Sequence, residues 1–149
     1  MTSGWFEIGI FAPRNWENIG TLWRSAWQLG AAGIFTIGPK PRHQPTDMLH
    51  VDHRIPLRHF ETLADFLTAR PVGAELVGIE MGGAPLRTFR HPSRAIYLLG
   101  SEANGLSPEA IRACNHLIEI ESVNYPSYNV AVSGSIVMYH RQIMSVMEL

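Results

Sequence analysis

The chain has 149 residues, of which 46% are hydrophobic and 17% are charged, and its formal net charge at pH 7 is −1. This composition excludes an intrinsically disordered chain, and it confines any RNA-binding surface to a local patch, because phosphate binding depends on Lys and Arg. The length fits one domain, and we predict a single unit over residues 1–149.

Two further features bear on compartment and cofactors. The chain begins without a basic stretch followed by a long apolar run, and no stretch of about 18 uninterrupted apolar residues occurs in it. Cys114 is the only cysteine, so we expect a buried thiol in a reducing compartment, with no intrachain disulfide and no cysteine zinc cluster. The seven histidines lack the spacing of helical metal sites. We therefore predict a cytoplasmic protein without a membrane segment or a metal.

The first half of the chain alternates strand and helix patterns. Runs of apolar and β-branched residues predict strands, and apolar residues three to four positions apart predict helices. The predicted elements are a strand at 7–12, a helix at 18–29 closed by a glycine, a strand at 33–38, a proline-rich loop at 39–47, an edge strand at 54–60 and a helix at 62–69.

The second half continues this alternation. Ser107 and Pro108 suit the N-cap and first turn of a helix, and a last helix from Asn129 is apolar on several faces. Strands that alternate with helices predict an α/β fold, with an open, mostly parallel sheet and helices on both faces. The remaining predicted elements are strands at 75–80, 95–100 and 116–120, a helix at 107–113 and a loop at 121–128.

Three segments follow predicted strands, at the edge of a parallel sheet where ligands bind. Each contains polar residues that also have a purely structural explanation. Asn18 suits a helix N-cap and Arg24 a solvated helix position, while Ser127 and Asn129 suit the start of the last helix. The sequence contains no dinucleotide-binding loop, no P-loop and no Gly-x-Ser-x-Gly elbow, which disfavours dehydrogenases, phosphate-cradling enzymes and hydrolases.

Taken in order, the three segments resemble the signature motifs of the SpoU (TrmH) group of SPOUT RNA methyltransferases, and the resemblance spans essentially the whole chain. The first motif is Asn-x-Gly-x-x-x-Arg, the second Gly-x-Glu-x-x-Gly-Leu and the third Ser-Leu-Asn-Val-Ser-x-Ala. The matching residues are Asn18, Gly20 and Arg24; Gly100, Glu102, Gly105 and Leu106; and Ser127, Asn129 and Val130.

The third motif departs from the family pattern. Tyr128 replaces the usual leucine and Ala131 the usual small polar residue. Upstream, Ile120-Glu121-Ser122 stands where many relatives have Ile-Pro-Met, and the loop that follows is slightly short. We expect Tyr128 to change how a bound cofactor packs.

The resemblance implies a homodimeric, SAM-dependent RNA 2′-O-ribose methyltransferase with a C-terminal trefoil knot, an exception to the rule against knotted chains. In such enzymes, backbone groups of the loops after three late strands hold most of the cofactor. The corresponding cofactor-binding residues here are Ile79, Glu80, Met81, Leu99, Gly100, Ile120, Tyr128 and Val130.

The resemblance also assigns catalytic roles to five residues. A ribose hydroxyl is a poor nucleophile that must be aligned and relieved of its proton. That role falls to Arg24, either as a base or, since arginine normally stays charged, as a ligand of a neighbouring phosphate. Asn18 is expected to orient Arg24 or the ribose, and Glu102 to position the second loop or Asn18. Ser127 and Asn129 are expected to bind substrate or to fix the cofactor loop.

The resemblance also implies contacts with RNA and with a second subunit. Basic residues near the first motif predict phosphate contacts, although a solvated loop explains them nearly as well: Arg14, Lys40, Arg42, His43 and Arg54. Family members dimerise through the first and last helices, in keeping with apolar residues that core packing also explains: Trp23, Trp27, Ile136, Met138 and Ile143.

Other functions stay open at this stage. One alternative is a catalytically silent SPOUT-like domain that binds RNA or only dimerises, and a weaker one is a hydrolase or dehydrogenase. Retention of the motif residues favours the enzyme. Minimal members of the group act on tRNA, some at the wobble ribose, or on rRNA, and we expect tRNA here. The sequence does not reveal the nucleotide, because loop shape and the partner subunit decide it.

Overall fold

The computed structural model describes residues 4–41 and 54–147. Within these ranges the helices are α1 (Trp16–Gln28), α2 (Leu63–Ala69), α3 (Pro108–Ala113) and α4 (Val130–Met147), with a 3-10 turn at Leu86–Thr88. The strands are β1 (Trp5–Phe11), β2 (Ile34–Ile37), β3 (Leu57–Phe60), β4 (Glu75–Pro85), β5 (Arg94–Leu99) and β6 (His116–Glu119).

The strands form one sheet in the order β3-β2-β1-β5-β4-β6, and every neighbouring pair is parallel. All carboxyl ends of the strands therefore lie at one edge of the sheet. The chain runs outward from β1 to β3 on one side, and β4 to β6 fill the other side. Ligands of such sheets bind at the carboxyl edge near this switch in direction. The predicted α/β class is confirmed, and the trefoil knot stays a prediction.

Each face of the sheet has its own apolar core, because successive side chains of a strand point to opposite faces. On β5, Tyr97 and Leu99 pack with residues of α1 and α4, whereas Ile96 and Leu98 pack with residues of α2 and α3. All four side chains are at most 1% exposed. Burial on both faces explains why the strands are almost continuously apolar in sequence.

Helix boundaries follow the capping residues. The Asn15 side chain accepts a hydrogen bond from the Asn18 amide at 2.8 Å, so α1 begins at Trp16 and the predicted start at Asn18 is wrong. The hydroxyl of Ser107 caps α3, as predicted. Gly30 follows α1 with a φ of +89°, the left-handed conformation expected of a C-terminal glycine.

Two strands differ in length from their predictions. β3 lies at the edge of the sheet as predicted, but it begins only at Leu57. β4 extends to Pro85, because residues 80–83 bulge out of the ladder: Ile79 and Ala84 both pair with Ile118. A Cβ atom on Gly83 would lie 2.7 Å from the amide nitrogen of Ile118, so the bulge requires a glycine there. The bulge lacks an apolar pattern, which is why the sequence did not reveal this extension.

The last helix packs closely on the first. A Cβ atom on Gly134 would lie 2.5 Å from Cδ1 of Leu22, so glycine allows the backbone of α4 to approach α1. The Gln142 side chain donates to the carbonyl of Leu29 at 2.7 Å, next to the end of α1. No helix within residues 4–41 and 54–147 has the length and apolar content that a membrane span requires.

A buried polar cluster joins the second half of α4 to the sheet. Arg141 is 1% exposed, and its guanidinium donates to the carbonyls of Pro92 and Ser93 and to the Tyr97 hydroxyl. His91 bonds to the Tyr97 hydroxyl at 2.6 Å and to His140 at 2.8 Å. Burial, aided by His140 and Arg141, lowers the pKa of His91 from 6.5 to about 3. The cluster lies at the amino end of β5, away from the carboxyl edge.

Candidate functional site

A cavity of about 370 Å³ lies at the carboxyl ends of β4, β5 and β6. Backbone and side chains from the bulge of β4, the loop after β5 and the loop after β6 surround it. The eight residues predicted to bind the cofactor all line this cavity: Ile79, Glu80, Met81, Leu99, Gly100, Ile120, Tyr128 and Val130. Segments far apart in sequence therefore form one concave surface, which is the usual shape of a small-molecule site.

The loop of the second motif is tightly folded. The amides and carbonyls of Ser101 and Gly105 bond to each other in both directions, at 2.9 and 3.2 Å, and the Ser101 hydroxyl accepts from the Asn104 amide. Gly105 has a φ of +65°, and a Cβ atom on Gly100 would lie 2.5 Å from the carbonyl carbon of Gly105. Both motif glycines are therefore required by backbone geometry. The loop holds Gly100 and Glu102 at the cavity wall.

Hydrogen bonds connect the three motifs. The Asn18 side-chain amide donates to the Glu102 carboxylate, and its oxygen accepts from the Asn129 amide at 3.0 Å. The Asn129 oxygen also accepts from the backbone amides of Ala131 and Val132, at 2.9 and 3.1 Å. Asn129 is thus both the cap of α4 and a member of a polar chain, hereafter the motif chain (Glu102–Asn18–Asn129). Capping alone does not account for it.

The other two predicted catalytic residues flank this chain. Ser127 is exposed and lines the cavity. Arg24 is exposed on α1, and within the described residues its guanidinium has no hydrogen bond or ion pair. An unpaired exposed arginine is open to an anionic ligand. Arg24 does not line the cavity itself, so the structure separates the predicted cofactor residues from the predicted acid–base residue.

The residues that depart from the family pattern contact one another. The Tyr128 hydroxyl donates to the carbonyl of Glu121 at 2.7 Å and closes the loop between β6 and α4. The Glu121 carboxylate in turn accepts from the Arg87 amide at 3.1 Å. A leucine at position 128 would lack this hydroxyl, so the tyrosine adds a hydrogen bond that holds the loop between β6 and α4. Tyr128 lines the cavity, and its effect on the packing of a bound cofactor stays a prediction.

The charges around the cavity have one sign. Three carboxylate residues line it, and no Lys, Arg or His lines it in the part of the chain that the structure describes. Glu80 and Glu119 are half-buried, and Glu102 is exposed. Such a lining favours a ligand with positive charge over a nucleotide phosphate. No group of three or more His, Cys, Asp or Glu residues in the described part of the chain is placed to hold a metal ion.

Sequence reasoning missed several residues of the site. Glu119, Tyr125 and Ser133 line the cavity, and Asn15 fixes the first turn of α1. Glu80 was predicted as a backbone ligand only, but its carboxylate also bonds to the loop of the second motif. Signals existed for Tyr125 and Ser133, which lie within the third segment (residues 125–134), and for Asn15, the first residue of the first segment (residues 15–24). The others depend on contacts between distant segments.

The predicted RNA-binding residues are only partly described. Arg14 and Lys40 are exposed, whereas Arg42 and His43 lie outside the described residues. The Trp16 indole donates to the carbonyl of Pro41 at 3.1 Å, which places the loop with Lys40 beside the first turn of α1. The guanidinium of Arg54 stacks 4.4 Å above the ring of Trp27.

The predicted dimer surface needs a correction. Trp23 is 6% exposed and Met138 is fully buried, so both belong to the core rather than to an open face. Their apolar character reflects the packing of α1 and α4 on the sheet. Within residues 130–145 of α4, the large apolar residues that are exposed are Val132 (46%), Tyr139 (59%) and Ile143 (37%), and their spacing places them along one side of the helix. Ile136, which is half-buried, lies between them.

The chain is similar to a known protein family and to several solved structures. A model of the SpoU rRNA methylase family matches residues 6–139. No protein with a curated function matches the chain in a sequence search. Because the solved structures that resemble the chain are less than 25% identical to it, they establish the fold. One is an AdoMet-bound rRNA methyltransferase from Sinorhizobium meliloti, with 23% identity and a TM-score of 0.83, covering 95% of this chain and 57% of that one.

Two other structures extend this comparison. The SpoU methyltransferase AviRb from Streptomyces viridochromogenes, also with AdoMet, has 19% identity and a TM-score of 0.84, covering 98% of this chain and 60% of that one. A structure described for 2-OH methylation of C/U34 on tRNA has 23% identity and a TM-score of 0.83, covering 96% of this chain and 92% of that one. The chain thus spans less than two thirds of the first two proteins and nearly all of the third.

Proposed function

We propose, because the chain belongs to the SpoU rRNA methylase family, that it is a SAM-dependent methyltransferase of RNA ribose 2′-hydroxyls, with tRNA as its substrate rather than rRNA. The observation that carries the proposal is the motif chain. It joins residues 18, 102 and 129 beside a cavity at the carboxyl edge of the sheet. A silent domain would have no need of three distant polar side chains held together at a partly solvated surface.

The cavity fits the proposed cofactor. Gly100 and Gly105 approach so closely that a side chain on Gly100 would collide with the backbone opposite, which leaves polar backbone groups at the cavity wall. The carboxylate lining suits a ligand with a sulfonium and an ammonium group. Bound there, SAM would supply an electrophilic methyl group. The residues proposed to hold it are Ile79, Glu80, Met81, Leu99, Gly100, Ile120, Tyr128 and Val130.

The protein itself would hold the ribose and assist the loss of the proton from its 2′-hydroxyl. We assign Arg24 to the reacting ribose, as the ligand of an adjacent phosphate or as the group that accepts the hydroxyl proton. Its exposure, and its lack of an ion pair within residues 4–41 and 54–147, suit the phosphate role best, with the hydroxyl proton then passing to water, because a base would need surroundings that stabilise a neutral guanidine. Asn18, fixed by Glu102 and Asn129, orients the ribose, and Ser127 contacts substrate at the cavity mouth.

Substrate choice rests on the relatives and on surface charge. The structure described for tRNA is matched over nearly its full length, whereas the rRNA methyltransferase is matched over 57% of its length. Arg14 and Lys40 are exposed beside the first motif and are proposed phosphate contacts, together with Arg42 and His43. The cytoplasm, where tRNA is modified, is the proposed compartment.

A homodimer is part of the proposal. The exposed stripe of Val132, Tyr139 and Ile143 on α4 is the kind of apolar surface that a subunit interface covers. The same helix starts at the motif chain, so a partner subunit on this stripe would lie close to the proposed RNA surface. Tyr139→Glu is expected to shift the protein from dimer to monomer in sedimentation velocity, and an unchanged dimer would count against this surface.

The deciding experiment uses purified protein, methyl-labelled SAM and separate pools of total tRNA and total rRNA. Nuclease digestion and chromatography then identify the methylated nucleoside. We expect a 2′-O-methylated nucleoside from tRNA. Label in rRNA alone would overturn the substrate assignment, and a methylated base would overturn the 2′-O assignment.

The matched variants are Arg24→Ala and Arg112→Ala. Arg112 is an exposed arginine on α3 whose carboxylate partner is Glu109 at 3.7 Å, so its loss controls for the removal of one surface charge. We expect Arg24→Ala to abolish transfer while the affinity for SAM, measured by calorimetry, stays within about twofold of wild type, since cofactor contacts lie elsewhere. Retained turnover in Arg24→Ala would refute its assignment. Absence of SAM binding by the wild type would favour the silent domain.

A further inference from the structure

The bulge of β4 and the loop of the second motif are joined by one carboxylate. Glu80 is the first residue of the bulge, and its Oε2 accepts from the backbone amide of Leu106 at 2.8 Å. Its Oε1 accepts from the amide of Met81 at 3.2 Å. A carboxylate that receives two backbone amides forms charge-assisted hydrogen bonds, which are stronger than neutral ones. Glu80 is half-buried, so water competes only partly for these bonds.

The loop is built to receive this carboxylate. A Cβ atom on Gly105 would lie 2.8 Å from Glu80 Oε2, so the glycine makes room for it as well as adopting a φ of +65°. Leu106 is 5% exposed and packs with the apolar core on the side of α2 and α3. The loop is thus anchored at its end by the Leu106 side chain and by Glu80, while residues 102–104 are exposed.

The same loop carries Glu102, the first member of the motif chain. Its carboxylate accepts from Asn18, which in turn bonds to Asn129. Movement of the loop would therefore shift the cavity wall and the motif chain together. Residues 102–104 are exposed, so the position of the loop depends on the buried Leu106 side chain and on hydrogen bonds, among them those at residues 101, 105 and 106.

We propose that Glu80 is a positioning residue for the methyl-transfer site: its carboxylate fixes the loop that carries Glu102, and through that loop it places Asn18. This inference rests on the proposed function for its catalytic consequence, but not for its structural one. The Glu80 carboxylate contributes negative charge to the cavity, but both of its oxygens accept from backbone amides, so we assign it no direct bond to a cofactor. It is therefore distinct from a carboxylate that binds the ligand directly.

The test compares Glu80→Ala, Glu80→Gln and Glu119→Gln in the full chain. Glu119 also lines the cavity, but within the described residues its carboxylate has no hydrogen bond, so Glu119→Gln controls for the loss of one negative charge. We expect hydrogen exchange of the Leu106 amide to accelerate by about tenfold or more in Glu80→Ala, the loss expected for a hydrogen bond to a charged group. Glu80→Gln keeps one acceptor oxygen and should fall between wild type and Glu80→Ala. Exchange in Glu119→Gln should match wild type.

The catalytic part is tested by a double-mutant cycle with Glu102→Ala, using single-turnover transfer to RNA. If Glu80 acts through Glu102, the double variant should be no more than about threefold slower than the slower single variant. Multiplying losses would overturn the coupling. Unchanged exchange at Leu106 in Glu80→Ala would overturn the positioning role, even if the wild type transferred no methyl group. Faster exchange without any transfer by the wild type would uphold the loop assignment and refute the proposed function instead.

Discussion

Two polar networks hold the last helix of this protein. One lies at the start of the helix and the other in its second half, and they differ in their exposure to solvent. At its start, the motif chain joins Asn129 to Asn18 and Glu102 where all three are partly solvated. Further along, Arg141 reaches two backbone carbonyls and the Tyr97 hydroxyl in the core. The first network leaves its members accessible to a ligand, and the second does not.

The difference in exposure separates polar residues that stabilise the fold from polar residues that form a binding site. A buried hydrogen-bonded group is costly to disrupt, because its partners then stay buried without bonds. An exposed polar group that loses its protein partner bonds to water instead, at little cost in stability. Stability therefore does not explain why an exposed network is present. In this chain the exposed network coincides with the family motifs and the buried one does not. Substitutions should therefore separate the two, with folding affected at one and transfer at the other.

The largest effect on stability is expected from Arg141→Ala. It would remove a side chain that is 1% exposed and leave the carbonyls of Pro92 and Ser93 without these bonds. We expect the free energy of unfolding to fall by about 3 kcal/mol. The measurement is urea denaturation followed by circular dichroism. Arg112→Ala is the control, since its exposed pair should contribute less than about 0.5 kcal/mol. Equal effects of both variants would mean that the buried network is not structural.

A smaller loss is expected when the cap of α4 is removed. Asn129→Ala should lower the free energy of unfolding by about 1 kcal/mol, the usual effect of losing an N-cap. Asn129→Asp keeps the oxygen that accepts from Ala131 and Val132, but it cannot donate to Asn18. Stability should then be retained while methyl transfer falls. If Asn129→Asp were fully active, Asn129 would be only a cap and the motif chain would have no catalytic role.

The smallest effect concerns pH. The pKa of His91 is lowered to about 3 in the folded protein by burial, His140 and Arg141, against 6.5 in an unfolded chain. The unfolded state therefore takes up a proton first, and the stability gained at neutral pH is lost as pH falls from about 6.5 towards 3. Since His91 is partly exposed, we expect the free energy of unfolding to fall by less than about 1 kcal/mol in total between pH 7.5 and 5. Urea denaturation between pH 7.5 and 5 should show that the free energy of unfolding depends less steeply on pH in His91→Gln than in the wild type. The same pH dependence in both proteins would contradict the role assigned to His91.

Much of the site was predictable because its signals are local. The resemblance to the family motifs identified Asn18, Glu102 and Asn129, and the structure brings these three into one hydrogen-bonded chain. The same resemblance, which places the cofactor at the loops after three late strands, indicated the cavity residues. The sequence misplaced the start of α1, because Asn15 and Asn18 are both good capping residues and only the backbone decides between them. It also assigned Trp23 and Met138 to a surface that they do not reach.

The sequence by itself determined the α/β class and nearly all element positions, since periodicity, capping and turn residues act over a few positions, and its resemblance to a family pattern identified the three motifs. Only the tertiary structure decided which distant residues meet. The bulge at residues 80–83, the bond from Glu80 to Leu106 and the buried contacts of Arg141 all join segments at least 26 residues apart or arise from strand register. Such contacts depend on how the strands are ordered and aligned, and local sequence patterns do not encode that order.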